Sequence, residues 1–329
     1  MIIDTHAHYL PQALLDAMGD KASHFPSIEL MRDGDTFKLA FAGGAPTRPI
    51  APKLRDGEQR LEWMSAQAID TQVVGGWLDS FGYEIGDEEG REWNRFLNQH
   101  LKEATDGTDR LAPLASVPLQ NGAMAAEVLR EALAAGFHGV MIGTQPKGAS
   151  GNLDAPDLDP FWQTASDLGA TVYIHPMFGC GDPRLLDYDM INAVGRGMDT
   201  TTAVARMLFA GHFTRYPGMN VVLSHGGGAL PYLLGRLKRN HDLHPDDYAD
   251  PVHGLNRCYY DTVLFDPAAL EFLCAKFGTE RVMLGSDYPF PIGDPEPQNV
   301  VRDSALDEVD MSLILGGTAA RLFHVEGCC

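Results

Sequence analysis

The chain has 329 residues, 44% of them hydrophobic, which suits one large α/β domain or two ordinary ones. It carries 45 acidic against 25 basic residues, a net charge of −20. Because nucleic acids and anionic membranes are bound through clustered Lys and Arg, this balance argues against both as partners. A small anionic substrate is compatible with it, since one local arginine can dominate a pocket.

The cysteines and the start of the chain bear on the compartment. Five cysteines form no zinc-ribbon spacing, and two of them, Cys328 and Cys329, are adjacent at the end. The apolar run at 1–3 is too short for a secretory signal, and no apolar run reaches transmembrane length. We therefore expect reduced thiols and a cytoplasmic protein.

Apolar, β-branched runs alternate with helical patterns along most of the chain. Near-continuous apolar runs are typical of parallel strands buried on both faces. Helical patterns occupy 122–136, 157–168 and 267–277, the last with Pro267 at its first position. The predicted strands span 2–5, 71–75, 111–116, 138–143, 171–175, 219–224, 258–262 and 281–285.

Eight strands that alternate with helices predict an α/β fold, a (β/α)8 TIM barrel that forms a single domain over 1–329. A doubly wound sheet is the alternative. The segment 9–57 interrupts the alternation, with no clear long helix. Within it, 28–41 has the pattern of a hairpin that turns at Asp33-Gly34-Asp35. We interpret 9–57 as an insertion after strand 1 that acts as a lid over the barrel mouth.

Potential metal ligands lie where the predicted strands end, which is where the active sites of such barrels lie. In an extended strand His6 and His8 point to the same side. His175, His225 and Asp287 end strands 5, 6 and 8. Imidazole and carboxylate ligands suit zinc, and Mn²⁺, Fe²⁺ or Co²⁺ are accepted by the same set. The sequence therefore predicts a metal centre, and no organic cofactor is indicated.

These residues also carry a resemblance to a family. The chain resembles the amidohydrolase superfamily and, more narrowly, the branch that contains aminocarboxymuconate semialdehyde decarboxylase. The resemblance covers nearly the whole chain. It rests on His6-Ala-His8, His175-Pro176, Ser224-His225-Gly-Gly-Gly228 and Leu284-Gly-Ser-Asp287-Tyr-Pro-Phe-Pro.

The resemblance implies one zinc ion held by His6, His8, His175 and Asp287, with His225 as general acid/base and Asp287 also in the catalytic set. A single metal is favoured because strand 4, at 139–143, has no lysine of the kind that binuclear relatives carry there.

Substrate-binding residues are also implied. In the decarboxylase branch two arginines hold the substrate's carboxylates, one from the insertion and one from a neighbouring subunit. Arg48 and Arg236 match these two positions, so we expect a homodimer that acts on a small carboxylate. Guanidinium groups suit bidentate carboxylate binding. Trp77 and Phe290, and also Phe178, are candidates for an aromatic wall.

The chain departs from the branch at two places. Met177 follows His175-Pro176 where the decarboxylases have Trp, and the run 41–47 has no lysine before Arg48. We therefore expect a pocket that fits a different carboxylate. The main hypothesis is non-oxidative decarboxylation of an unsaturated or aromatic acid in ring-degradation metabolism. The alternatives are a metal-dependent hydrolase of a lactone, ester or amide, and a catalytically silent metal-binding protein.

Overall fold

The computed structural model describes residues 1–21, 24–148, 151–177 and 181–325. Every one of the eight predicted strand regions contains an observed strand, and the predicted hairpin adds two more. The strands in these ranges are β1 (Ile3–His8), β2 (Ile28–Asp33), β3 (Thr36–Phe41), β4 (Thr71–Gly75), β5 (Leu111–Pro113), β6 (Val140–Gly143), β7 (Thr171–His175), β8 (Asn220–Leu223), β9 (Tyr259–Asp261) and β10 (Val282–Met283).

The barrel strands pair in parallel in two sheets, β1–β4–β5 and β6 through β10 in chain order. Bridges between Ala115 and Val140 and between Ala7 and Tyr288 join the sheets on both sides. A hydrogen bond of 2.8 Å from the His8 N–H to the Tyr288 carbonyl reinforces the second junction. The eight strands therefore form a closed ring, which confirms the predicted (β/α)8 fold class over a doubly wound sheet with open edges.

Helices connect the strands and cover the ring. The helices at the three predicted helical patterns begin and end within two residues of the expected limits. None in the described ranges is both long and apolar enough to cross a membrane. They are α1 (Gln12–Lys21), α2 (Pro52–Arg55), α3 (Gly57–Ala66), α4 (Asp87–Thr105), α5 (Gly122–Ala134), α6 (Asp159–Asp167), α7 (Arg196–Phe209), α8 (His212–Arg215), α9 (Leu230–Leu243), α10 (Pro251–Leu255), α11 (Pro267–Phe277), α12 (Asn299–Arg302), α13 (Glu308–Ser312) and α14 (Thr318–Phe323).

The core lies on both faces of the barrel strands. All five residues of β7 are buried, as are all five of β4. Burial on both faces is the physical reason for the continuous apolar runs in the sequence, because neither face of a barrel strand meets water.

The segment between β1 and α3 contains the predicted hairpin, the short unpredicted helix α2 and one longer unpredicted helix. β2 and β3 pair antiparallel from Ile28–Phe41 to Asp33–Thr36, around a Gly34 with φ of +57°. The longer helix is α1, ten residues whose Leu14 and Leu15 are buried. The chain after the hairpin then runs along β3, where the Thr47 N–H donates to the Leu39 carbonyl at 2.7 Å. The hairpin thereby fixes the stretch that carries Arg48.

Candidate metal centre

The five residues predicted at the strand ends lie together at the carboxyl end of the barrel. Four potential ligand atoms lie within 4.8 Å of one another, one each from His6, His175, His225 and Asp287. Nε2 of His8 lies 3.2 Å from Oδ1 of Asp287 and so belongs to the same cluster. Four are buried, and His225 is the most accessible, with 21% of its side chain exposed.

Three of the histidines are held in one tautomer. In each ring Nδ1 faces an oxygen that only accepts, so Nδ1 carries the hydrogen and Nε2 keeps its lone pair. This is the arrangement usual for histidine ligands, whose orientation is set by the hydrogen bond of the other ring nitrogen. The Nδ1–oxygen pairs are His6 with Asp261 Oδ2 (2.6 Å), His8 with the Gly76 carbonyl (3.0 Å) and His175 with the Pro176 carbonyl (2.7 Å).

The same atoms that would bind a metal have no hydrogen-bond partner. Among the described residues, Nε2 of His6, His8 and His175 and Oδ1 of Asp287 are buried without one. A buried polar atom without a partner costs about 1–3 kcal/mol. One divalent cation would satisfy all four atoms, and three imidazoles with one carboxylate form a donor set suited to zinc and its first-row neighbours. The residues therefore fit a metal ion.

The charge states of the cluster favour a cation as well. Burial lowers the pKa of His175 well below its ordinary value, and the neighbouring histidines add to this, so its Nε2 lone pair is available. Burial alone would raise the pKa of Asp287, but His6, His225 and His8 outweigh it and hold that pKa well below its usual range. Asp287 is therefore an anion at neutral pH.

Asp261, at the end of β9, forms hydrogen bonds with residues of the cluster and of the loop beside it. It was not predicted from the sequence. Its buried carboxylate accepts hydrogen bonds from His6 and, at 2.8 Å, from the Tyr173 hydroxyl. Its other oxygen accepts from the Gly226 N–H at 3.0 Å, in the loop that carries His225. Asp261 thus couples the orientation of the His6 ring to that loop. Its place at the end of the seventh predicted strand was the available signal.

A second buried network holds the strand ends in register. The Asp4 carboxylate accepts hydrogen bonds from the backbone N–H groups of His6 (3.1 Å) and Ser286 (3.0 Å). These two residues lie on opposite sides of the junction between β1 and β10. Gln72 donates to the same carboxylate at 2.7 Å, and Arg60 in turn bonds Gln72. Burial lowers the pKa of Arg60 to about 10, so it stays charged at neutral pH. This network was not among the predictions from the sequence.

His225 differs from the three histidines with fixed tautomers. Its Nδ1 is buried without a hydrogen-bond partner among the described residues, and its Nε2 lies 3.5 Å from Oδ2 of Asp287. Its backbone has φ of +53°, and the glycines at 226–228 also have positive φ. The glycine run lets the chain turn so that the imidazole faces the cluster at the mouth.

Arg48, Trp77 and Phe290 meet beside the cluster. The Arg48 guanidinium lies over both rings, 5.9 Å from the Trp77 centroid and 5.7 Å from the Phe290 centroid. It also donates to Oδ2 of Asp79 through Nε (3.2 Å) and Nη2 (3.1 Å). The Phe290 ring packs on His8, with centroids 5.2 Å apart. Three predicted substrate-binding residues therefore form one wall next to the cluster. Phe178 lies outside the described residues.

Arg236 was also predicted to bind the substrate, but in the single chain it is not part of this wall. It is exposed on α9, and it makes no hydrogen bond or ion pair with the described residues. Tyr232, one turn earlier on the same helix, is 84% exposed.

Comparison with known proteins adds the family. The model of the family described as Amidohydrolase matches residues 3–325. The chain belongs to the amidohydrolase family. This match spans the strand ends that carry all five clustered residues, in agreement with the resemblance seen in the sequence.

The proteins to which this chain is similar have names that specify a reaction. The chain is 29% identical over 98% of its length to 2-amino-3-carboxymuconate-6-semialdehyde decarboxylase of Dictyostelium discoideum, covering 92% of that protein. The solved structure of 5-carboxyvanillate decarboxylase from Sphingomonas paucimobilis is similar in fold, with a TM-score of 0.82, 24% identity and 99% of both chains covered. Dihydroxybenzoic acid decarboxylase from Polaromonas, solved with bound manganese, matches at a TM-score of 0.79 and 21% identity, covering 99% of this chain and 98% of that one.

Proposed function

We propose that this protein is a metal-dependent, non-oxidative decarboxylase of an unsaturated or aromatic carboxylic acid. The observation that carries the proposal is the wall of Arg48, Trp77 and Phe290 directly beside His8. A guanidinium binds a carboxylate, and the partly exposed Phe290 ring offers a surface for a flat conjugated substrate, with the buried Trp77 ring packed against Arg48. The full-length similarity to a decarboxylase that acts on a carboxymuconate semialdehyde supports the same reaction class.

One metal ion held by His6, His8, His175 and Asp287 is part of the proposal. The fixed tautomers of the three histidines favour this set over one in which His225 replaces His8, since the Nδ1 of His225 has no acceptor among the described residues to orient its ring. Zinc is our first choice, with Mn²⁺, Fe²⁺ and Co²⁺ as alternatives that the same donors accept. The manganese in the Polaromonas relative makes Mn²⁺ the foremost alternative.

When bound, the ion would supply a Lewis acid that polarises an oxygen of the substrate. The residues of the chain perform the remaining tasks. Arg48 holds a carboxylate and Trp77 and Phe290 confine the conjugated plane, so the substrate enters in one orientation.

His225 is placed to move the proton. It is the most accessible member of the cluster, and an imidazole can both donate and accept a proton. We propose that it protonates the carbon that bears the leaving carboxylate. The C–C bond then breaks, carbon dioxide leaves, and the bonding electrons restore the conjugated system. Asp287, 3.5 Å from Nε2 of His225, stabilises the protonated imidazole before this transfer.

A homodimer completes the proposed site. Arg236 is exposed and has no partner among the described residues of its own chain, so a second subunit can receive its guanidinium as the second carboxylate anchor. The exposed Tyr232 lies on the same face of α9, consistent with a surface that another subunit covers. The test is complementation: mixed Arg236→Met and His225→Ala chains should regain activity that neither homodimer has.

The insertion 9–57 is proposed as the lid of this site. It carries Arg48 to the wall, and β3 fixes that stretch through the backbone hydrogen bond to Thr47. We also propose that the enzyme works in the reducing cytoplasm. The two described cysteines, Cys258 and Cys274, are free thiols, which is consistent with that compartment.

The test of the reaction is metal analysis followed by a screen of ring-fission acids and hydroxybenzoates for released carbon dioxide, in water labelled with ¹⁸O. Decarboxylation predicts carbon dioxide and a product with one hydrogen in place of the carboxyl group. The family is described as Amidohydrolase, a name that specifies hydrolysis, so hydrolysis is the second candidate. It would appear as ¹⁸O in the product without loss of carbon. Turnover that His225→Ala leaves unchanged would contradict both.

A further inference from the structure

The turn that follows β7 carries the acceptor that orients His175. Nδ1 of His175 donates to the carbonyl of Pro176, one residue beyond the end of β7. The last residue pair between β6 and β7 is Gly143 with His175. The Pro176 carbonyl therefore lies where these two strands no longer pair. Because a carbonyl orients a ring only as firmly as its own peptide group is held, other residues must fix this turn.

Asp199, in the first turn of α7, joins the chain segments that leave β6 and β7. The residue is buried. Its Oδ2 accepts hydrogen bonds from the Met177 N–H at 3.1 Å and from the hydroxyl of Thr144, the first residue after β6. Its Oδ1 accepts from the side-chain amide of Gln145 at 2.9 Å. One carboxylate thus bridges the two strands just beyond the point where their pairing ends.

Arg196, the first residue of α7, holds the same turn through its carbonyl groups. Its Nη1 donates to the carbonyls of Met177 and, at 3.1 Å, of Pro176. Since proline has no N–H, residues 176 and 177 offer three polar backbone groups, and side chains of α7 bond all three. A carbonyl has two lone pairs, so that of Pro176 can accept from His175 and Arg196 together. Its direction is therefore set from α7.

The helix α7 is also anchored on the barrel away from this turn. Three of its apolar residues are buried in the core, namely Val204, Met207 and Leu208. Further along the helix, Arg206 pairs with Asp154 at 2.7 Å. Burying charged groups costs free energy, and apolar side chains would dock a helix equally well. The bonds to the 176–177 turn therefore explain why Arg196 and Asp199 stand at the start of α7.

We propose that Arg196 and Asp199, here called the α7 clamp, are positioning residues that fix the Pro176 carbonyl and thereby hold Nε2 of His175 in place for the metal ion. This inference rests on the proposed function, since His175 is one ligand of the proposed metal set. Asp261 orients His6 directly, whereas His175 depends on a carbonyl that the clamp must hold. A shift of the turn would rotate the His175 ring and weaken its bond to the metal.

The experiment compares the zinc affinity of the wild type with that of Asp199→Asn and Arg196→Met. Each zinc-free protein is titrated with zinc against a competing chelator, and we expect each variant to bind zinc about tenfold more weakly. The double variant should lose less than the product of the two single losses, because both side chains hold the same turn. Loading with Co²⁺ gives a second readout, since the visible spectrum of bound Co²⁺ depends on ligand geometry and should change in both variants.

The matched control is Asp154→Ala, which also removes a carboxylate bonded to α7, through Arg206. Its zinc affinity and Co²⁺ spectrum should stay as in the wild type. Unchanged zinc affinity in either folded clamp variant, or an equal loss in the control, would overturn the inference and leave the clamp a contact for stability alone. If Asp199→Asn does not fold, Arg196→Met decides, because Arg196 is only half-buried and its substitution leaves the donors to Asp199 in place.

Zinc affinity is measured without substrate, which separates this inference from the proposed function. If the wild type releases no carbon dioxide from any acid, yet the clamp variants bind zinc about tenfold more weakly than it does, the decarboxylase proposal fails and the clamp stands. If the wild type decarboxylates but the clamp variants bind zinc as tightly as it does, the clamp fails and the decarboxylase stands.

Discussion

The cluster at the strand ends and the wall at the mouth are built differently. In the cluster, His6 and His8 are almost completely buried, and each is oriented by a hydrogen bond to a fixed acceptor. In the wall, the side chain of Arg48 is 52% exposed and is held by one carboxylate and two rings. The buried residues are thus pre-organised by the barrel, whereas the wall depends on an insertion outside it.

This difference separates two aspects of function. The barrel strands fix the chemistry, because a shift in one strand end would misplace a ligand. The insertion supplies Arg48, which can vary without disturbing the barrel core. Substitutions in the cluster should therefore abolish the reaction, whereas substitutions in the wall should change which acid is accepted.

The largest effect is expected at a proposed metal ligand. His175→Ala removes one of three imidazoles with a free Nε2, so the protein should lose its metal and all detectable turnover. Metal content by elemental analysis and carbon dioxide release are the two measurements. The exposed His253 on α10 offers the control, since His253→Ala should change neither. Full metal content in His175→Ala would exclude His175 as a ligand.

The next largest effect is expected at His225. His225→Ala should lower kcat by about 100-fold to 10,000-fold, as for loss of a general acid, while the metal stays bound. Measuring metal content and kcat on the same sample makes the result decisive. Loss of metal together with activity would instead place His225 among the ligands, in the set with His6, His175 and Asp287.

A smaller effect is expected behind the cluster. Asp261→Asn keeps an acceptor in place but removes the charge that faces Nδ1 of His6, so metal affinity should fall by about tenfold to 100-fold. Competition with a chelator measures this change. Tyr173→Phe is the matched variant: it removes the other hydrogen bond to the same oxygen and should weaken metal binding less. If Tyr173→Phe weakens metal binding more than Asp261→Asn does, Asp261 acts mainly through Tyr173.

The smallest effect is expected at the wall. Arg48→Met should raise KM by about tenfold through loss of a charge-assisted hydrogen bond to the substrate, with metal content unchanged. Steady-state kinetics with the best substrate from the screen measures it. Arg32→Met, in the exposed strand β2 of the same insertion, should leave KM unchanged. An equal effect of both variants would indicate that the insertion matters only for stability.

Much of the fold was readable from the sequence because barrel strands are buried on both faces. Runs such as 221–223 are apolar without alternation, and strands of this kind end in the polar residues of the site. The helix α1 was missed because it is short and only part of it is buried, so its periodicity is weak. The hairpin was found because its turn residues and alternation are local signals.

Sequence alone also determined which residues form the cluster, since all five stand at strand ends and strand ends of a barrel converge. Only the tertiary structure revealed the residues that act on them. Asp261 is one aspartate among many acidic residues until its carboxylate is seen beside His6, and Tyr173 is one strand residue until its hydroxyl is seen to donate to that carboxylate. The physical reason is that a strand's register fixes where its own side chains point, whereas contacts between elements distant in the chain depend on how the whole barrel closes.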